Sequence, residues 1–456
     1  MRSIFKSLVI LCGFLVFLAA ATRASAATTW VDLIPGDDQW SSGGNWSAGI
    51  PDINDDVTFP SPAPLGSNGN VFLNGSNFAR SLVFLDGYQL FNGSLVLGTG
   101  STNVASGKFT SIFSALGGSS GLTKLGAGTL TLTGNNIYSG PTNVSQGTLN
   151  FAAANERIPN ASAVFISSGA TLGINSGVTQ ETIGSLAGGG SLVFGNAGGT
   201  NLQIGADNTS TVFSGTITQS AGIHSLTKIG TGKLTLSGPN TYSGGTTIND
   251  GTLALAGNSA FGAGTLTVLG GAIEYLSGIN IANAINLQQN ATLTIVGGSS
   301  TQSGVIAETA GPFGITKTGA GTLVLTNTNT YTGPVTVSAG TLLVNGGSTP
   351  SSLTDISATG TLQISAGMFK ANGNLTVNTT GSLTLATTGH LNGNGANGAN
   401  GAASVPGAPG AVGSVGRLIT LSSGTVALSN SSTLSLNGGN GGNGARVSLS
   451  AFGLGA

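Results

Sequence analysis

Cysteine is all but missing from the sequence: Cys12 is the only one. It lies in the apolar stretch Leu8 to Ala21, behind Val9-Ile10-Leu11, which lack the small residues that a lipoprotein-processing site wants. Beyond that stretch, disulfide staples and cysteine-held zinc are excluded. Histidine is nearly as scarce. His224 and His390 are the only two, and neither lies near a serine-nucleophile motif or close to the other, so neither a serine protease nor a paired-histidine metal site is expected. Charge is thin as well, at 6% of residues, with 13 basic against 14 acidic side chains, which leaves no electrostatic footprint for nucleic acid. The exposed Glu, Lys and Arg that clothe surface helices are therefore scarce too. With 78 glycines among 456 residues, each about 1 kcal/mol worse than Ala inside a helix, a helical protein is untenable.

What is present begins with an address. Arg2 and Lys6 precede the apolar run, and Ala24-Ser25-Ala26 sets small residues, Ala24 and Ala26, where a signal peptidase inspects the chain. The run is too short for the roughly 20 residues of a spanning helix, so residues 1–26 are expected to be a cleaved leader. No second run of spanning length follows, and no transmembrane helix is expected in the mature chain. Loss of Arg2, Lys6 and Arg23 leaves a mildly acidic chain, too mild to specify a charged partner.

The rest of the sequence is self-similar. Gly or Ala, then Thr or Ser, Leu, any residue and a large apolar residue starts at Gly93, Gly128, Gly147, Ala170, Gly190, Gly251, Gly264, Ala291, Gly321, Gly340, Gly360 and Gly381, with small variations. Apolar side chains two positions apart, such as Leu130/Leu132 and Leu253/Leu255, have the period of a strand with one buried face. Gly128 to Gly147 is 19 residues, then 23 to Ala170 and 20 to Gly190; Gly321 to Gly340 is again 19, then 20 to Gly360 and 21 to Gly381. A chain that returns to one lateral position about every 20 residues stacks strand on strand about 4.8 Å apart. Leu130 should then lie against Leu149, and Leu132 against Phe151. An antiparallel sandwich also has short alternating strands, but gives no reason for the recurring offset. The expected fold is all-β: a right-handed parallel β-helix, or β-solenoid, with an N-terminal cap.

Three longer copies lie on this rhythm without an indel: TKLGAGTLTLTGNNIYSGPTNVSQGTL at 123–149, TKIGTGKLTLSGPNTYSGGTTINDGTL at 227–253 and TKTGAGTLVLTNTNTYTGPVTVSAGTL at 316–342. These residues resemble the passenger-associated transport repeat, also called the autotransporter-associated β-strand repeat, of large exported bacterial β-helical proteins. The resemblance implies a surface or extracellular β-helix whose repeat assists transport and catalyses nothing. Asn327 stands where the other copies have Gly134 and Gly238, a change that a left-handed turn tolerates. Tyr138, Tyr242 and Tyr331 are expected to cover coil corners. Lys124, Lys228 and Lys317 recur at one position but lie 104 and 89 residues apart, too far to form one basic patch. They are expected to be solubilising charges at a strand edge or turn.

The ends differ. Trp30, Trp40 and Trp46, with six of the 14 acids between Asp32 and Asp56, suggest a cap over the first coil, the sharper alternative being a sugar contact through the tryptophans. Asn45-Trp46 with Pro51 and Asp55-Asp56 resembles the start of many proteins bearing the repeat. Asp52-Ile53-Asn54-Asp55-Asp56 begins like a calcium loop but has Val57 and Ala63 where an EF-hand needs Gly and Glu. From Gly393 the sequence dissolves into a Gly-rich tract with two prolines, whose chance dinucleotide fingerprint no helix can follow. The expected organisation is a leader at 1–26, cap and first coils at 27–90, β-helix at 91–392, a Gly-rich insert at 393–417, and further coils with a second Gly/Asn tract at 418–456, reading as truncated.

No cluster of acids is visible after Asp86. The function expected is that of an exported, non-catalytic surface protein of passenger type, structural or adhesive, outer-membrane associated, without cofactor or metal. Its partners would be an unspecified surface or glycan ligand and the outer-membrane translocation machinery. The alternative is a carbohydrate-active β-helical enzyme of lyase or glycosidase type, which would gather acids on adjacent coils.

Overall fold

Alternating Leu, Ile, Val and Phe with intervening Thr, Ser and Asn builds short strands, each with one face dry. The computed structural model describes residues 27–31, 38–62 and 69–371, followed by the strands Leu375–Val377, Ser382–Asn392, Ile419–Ser422, Thr425–Leu428, Thr433–Ser435 and Val447–Ser450. The leader with Ala24 and Ala26, and the Gly-rich insert, lie outside the described residues. All paired strands in this region run parallel, apart from one isolated antiparallel bridge between Trp30 and Trp46. The chain is a parallel β-solenoid.

Its coils have three faces, met in the order first, second, third. The first face stacks Leu122–Leu125, Thr142–Val144, Ala163–Ile166, Ser185–Gly188, Thr211–Phe213, Lys233–Leu236, Thr252–Leu255 and Ala272–Tyr275. The second carries Asn70–Phe72, Gln89–Phe91, Phe109–Ile112, Thr129–Leu132, Thr148–Phe151, Thr171–Ile174, Ser191–Phe194 and Thr216–Gln219. The third includes Gln180–Ile183, Asn201–Ile204, Ser225–Lys228, Thr246–Ile248, Leu266–Val268, Ile285–Leu287 and Ile306–Glu308.

The register follows the sequence period. Leu130 lies opposite Leu149 and Leu132 opposite Phe151, as the 19-residue offset requires. Leu149 then faces Leu172, and Leu172 faces Leu192, so coils of 23 and 20 residues keep the same register. The varying residues are absorbed at the corners, where Gly126, Gly147, Gly230, Gly251, Gly319 and Gly340 take positive φ. Inside, these side chains form one continuous buried column. At about 1.5–3 kcal/mol per fully buried Leu, Ile, Val or Phe, this column is the main stabilising term.

The opening segment closes on itself. Trp30, Trp40 and Trp46 are 0, 0 and 4% exposed. Trp46 meets Trp30 and Trp40 edge-on at centroid distances of 4.9 and 4.7 Å, and its Nε1 donates to the Trp40 carbonyl at 2.7 Å. All three pack on Phe59 of Asp56–Phe59. Rings packed this way have no free face for a sugar, so the tryptophan-glycan alternative is set aside.

Candidate functional site

Inside the repeat copies, strand parity decides where the polar residues go. Lys124 stands two positions after Leu122, Lys228 two after Leu226 and Lys317 two after Ile315, so all three share the inward face of their strands. They are buried, which corrects the expectation of surface charges. Each ammonium is held by three carbonyls at a coil corner. Lys124 Nζ donates to Leu125 O, Gly126 O and Gln146 O at 2.8, 2.7 and 3.3 Å. Lys228 Nζ reaches Ile229 O, Gly230 O and Asp250 O at 2.6, 2.7 and 3.4 Å. Lys317 Nζ reaches Thr318 O, Gly319 O and Ala339 O at 2.8, 2.9 and 3.0 Å.

The geometry explains the Lys-x-Gly spelling of each copy. The left-handed Gly two residues on turns its carbonyl back toward the ammonium, and the third carbonyl belongs to the following coil, so the lysine ties two coils together. Burial pushes Lys124 and Lys317 down to about 8. Burial also lowers Lys228, opposed by the nearby charges of Asp250 and Asp207. The inward parity was legible in the sequence two residues before each lysine; the carbonyl cage was not.

The Asn-x-Tyr segments are the second internal device. Between Leu132 and Thr142 no strand forms on the third face; Asn136 takes its place. Its Oδ1 accepts from Leu116 N at 3.0 Å in the coil before, and its Nδ2 donates to Arg157 O at 2.8 Å in the coil after. Asn240 does the same between Ile217 N at 2.8 Å and Ala260 O at 2.6 Å. Asn329 accepts from Ile306 N at 2.8 Å. The tyrosines were expected over the corners, but the rings lie inside the column. Tyr138 shares a hydrogen bond with Thr142 Oγ1 at 2.7 Å and Tyr242 with Thr246 Oγ1 at 2.5 Å. In the third copy Val335 occupies that threonine position, and the buried Tyr331 hydroxyl has no partner.

The titratable groups singled out in the sequence are dispersed apart from Glu156 and Glu181, which lie near each other on adjacent coils. His224 is buried, stacked on Phe194 at 4.7 Å; its Nδ1 accepts from Thr200 N at 2.9 Å, so its proton lies on Nε2, 2.7 Å from Ala221 O. Glu181 is buried and accepts from Arg157 N and Ile158 N at 3.0 and 2.6 Å; burial raises it to about 7, against the pull of those amides. Glu156 accepts from Thr182 N at 3.1 Å. In the acidic opening, Asp55 Oδ2 accepts from Asp52 N at 2.9 Å, and Asp56 pairs with Arg80 and Ser81. Among the described residues no three acidic, His or Cys side chains gather where they could hold a metal ion. A shallow groove of about 530 Å³ runs beside Ile53, Phe78, Val96 and Leu97.

A family model for the passenger-associated-transport-repeat matches residues 122–151, 226–255 and 315–344. The chain carries three copies of this repeat. Each match spans one lysine cage, one Asn-x-Tyr segment and the strands flanking them. The repeat therefore contains five strand positions in sequence, more than one full coil. Copies one and three start on the first face, whereas copy two starts on the third. The chain is also similar to the adhesin BmaC autotransporter of Brucella suis biovar 1 (strain 1330), 32% identical over 305 residues. That stretch is 63% of this chain and 9% of the relative, so the chain spans a small part of the protein it matches. No solved structure matches. Among the described residues, no helix is long and apolar enough to cross a membrane.

Proposed function

We propose that the chain is an exported, non-catalytic β-solenoid of autotransporter-passenger type with an adhesive role at the cell surface. The observation that carries this reading is the 305-residue similarity to an adhesin, running through a solenoid that itself bears three passenger repeats. The solenoid chemistry supports it. Each coil is stabilised by its neighbours, so a chain delivered end-first can add coils one at a time, each closed by local hydrogen bonds. The lysine cages suit such growth, since each takes two carbonyls from its own corner and one from the coil that follows.

Export is assigned to the leader at 1–26, cleaved after the small residues Ala24 and Ala26, with the outer-membrane translocation machinery as the transit partner. The tryptophan segment is assigned to capping the first coil, because a bare solenoid end exposes apolar column and open strand edges. The carbohydrate-active alternative needs converging solvent-facing carboxylates. Glu156 and Glu181 instead spend oxygens on backbone amides of the adjacent coil.

The test is display of residues 27–456 on bacteria by fusion to a heterologous autotransporter barrel. Displaying cells should be cut by external protease and should adhere to surfaces more than cells carrying the barrel alone. Display without any gain in adhesion would refute the adhesive role.

A further inference from the structure

The outward side of the second face differs from that of the first. From Asn70–Phe72 to Thr216–Gln219, its outward positions carry no charged side chain. The first face, by contrast, bears the Arg80–Asp56 and Lys233–Glu274 pairs. On the second face one row reads Thr129, Thr148, Thr171, Ser191 and Thr216, one hydroxyl per coil in register. The two rows beyond it are each flattened by one glycine. The Asn150 carboxamide lies across Gly173 and the Asn175 carboxamide across Gly195, where any Cβ would collide with it. Amide planes therefore lie along the sheet.

Aromatic rings border this plane at its N-terminal end. Phe72, Phe91 and Phe113 stack on one another, at 5.5 and 4.7 Å between centroids, and so use each other's faces. Phe109 does not. It is 73% exposed, with Gly87 beneath it in the preceding coil and Thr129 above it at the foot of the hydroxyl row. The nearest charges, Lys108 and Asp86, neutralise each other at 2.7 Å.

We propose that this face binds an extended neutral polysaccharide, laid across the coils with one sugar ring against Phe109 and its hydroxyls on the Thr/Ser row. The inference rests on the adhesive reading above and names its partner. Three features argue for it. A pyranose ring offers an apolar face to an aromatic ring and hydroxyls at its rim, the pairing that an exposed phenyl beside a hydroxyl row provides. An extended chain of pyranoses advances by nearly the coil spacing of about 4.8 Å, so successive sugars meet successive hydroxyls. An uncharged plane complements an uncharged ligand, whereas an anionic polymer would shed its hydration with no cation in return. The third face, equally rich in Thr, Asn and Gln, offers no exposed aromatic ring beside its strands and serves as the internal comparison.

Affinity electrophoresis of the full chain in gels containing hydroxyethyl cellulose, or carboxymethyl cellulose on the same backbone, tests the proposal. Retardation is expected in the neutral gel alone. Phe109→Ala and Thr131→Glu should each weaken it by about tenfold, the loss of one stacked ring or the burial of one unpaired charge. Thr247→Glu on the third face and Phe165→Ala on the first should migrate as the parent does, and circular dichroism of all four variants should keep the parent β-signal. Retardation by the carboxymethyl polymer instead, or neutral binding indifferent to Phe109→Ala and Thr131→Glu, would overturn the proposal. So would no retardation in either gel; if displayed cells still adhere, the adhesive role stands and the glycan face alone falls.

Discussion

Lys124→Met is the most direct test of how the coils are held. Met keeps the length and most of the volume of the lysine stem, so the column stays filled. What disappears is the ammonium and its three hydrogen bonds to Leu125 O, Gly126 O and Gln146 O. A buried carbonyl left without a donor costs about 1–3 kcal/mol, and three would exceed that severalfold. Against this, Met removes the cost of burying a charge, the term that pushes Lys124 down to about 8. The net loss should be about 3–5 kcal/mol, as for breaking other buried ionic groups. Because each coil leans on its neighbours, the loss should be local. Native-state hydrogen exchange should find the amides of Leu122–Leu125 and Thr142–Val144 less protected by about a hundredfold or more, with distant coils unchanged. Lys233→Met is the control, since the partly exposed Lys233–Glu274 pair at 3.1 Å should be worth at most about 1 kcal/mol. If Lys124→Met exchanges no faster than Lys233→Met, the cages do not hold the coils and the reasoning fails.

Val335→Thr should stabilise by about 1 kcal/mol by giving the Tyr331 hydroxyl the partner its counterparts have, while Thr142→Val should cost about 1–3 kcal/mol; denaturant midpoints would read both, and equal effects of the same sign would contradict the pairing. Stability should depend on pH through two kinds of buried group, with opposite slopes. Glu181, raised to about 7 from 4.5, binds its proton more tightly folded than unfolded, so its contribution is full below about 4.5 and lost as pH rises through 7, a slope that Glu181→Gln should remove. Lys124 and Lys317, lowered to about 8 from 10.5, bind theirs less tightly folded, so stability should rise with pH between about 8 and 10.5, less steeply in Lys317→Met. Leu234→Asp places an unpaired charge in the column, and limited proteolysis should cut first at that coil; uniform digestion would count against independent coils. Excess EDTA should leave the melting temperature unchanged, and a large drop restored by calcium would make ligands of the acids around Asp52 to Asp56.

The sequence by itself determined the class of fold and its register. Leu130 and Leu149 could be set against each other from the sequence, because a 19-residue offset and a two-residue period leave a parallel stack no other pairing that keeps the apolar rows of both strands inside. It also contained the inward parity of the lysines, although a lone charge among turn residues reads more naturally as surface. What only the tertiary structure decided is what those residues meet. The third carbonyl of each cage belongs to another coil, 22 residues on, and comes near only when the stack closes. The same holds for Asn136, whose amide spans the coils on either side in place of a strand. Which face a repeat copy occupies was likewise undecided, since coils of 19 to 25 residues change length at their corners and shift the phase of everything downstream. Strand period is a local property of the backbone, whereas the angular position of a coil is a sum over every turn before it.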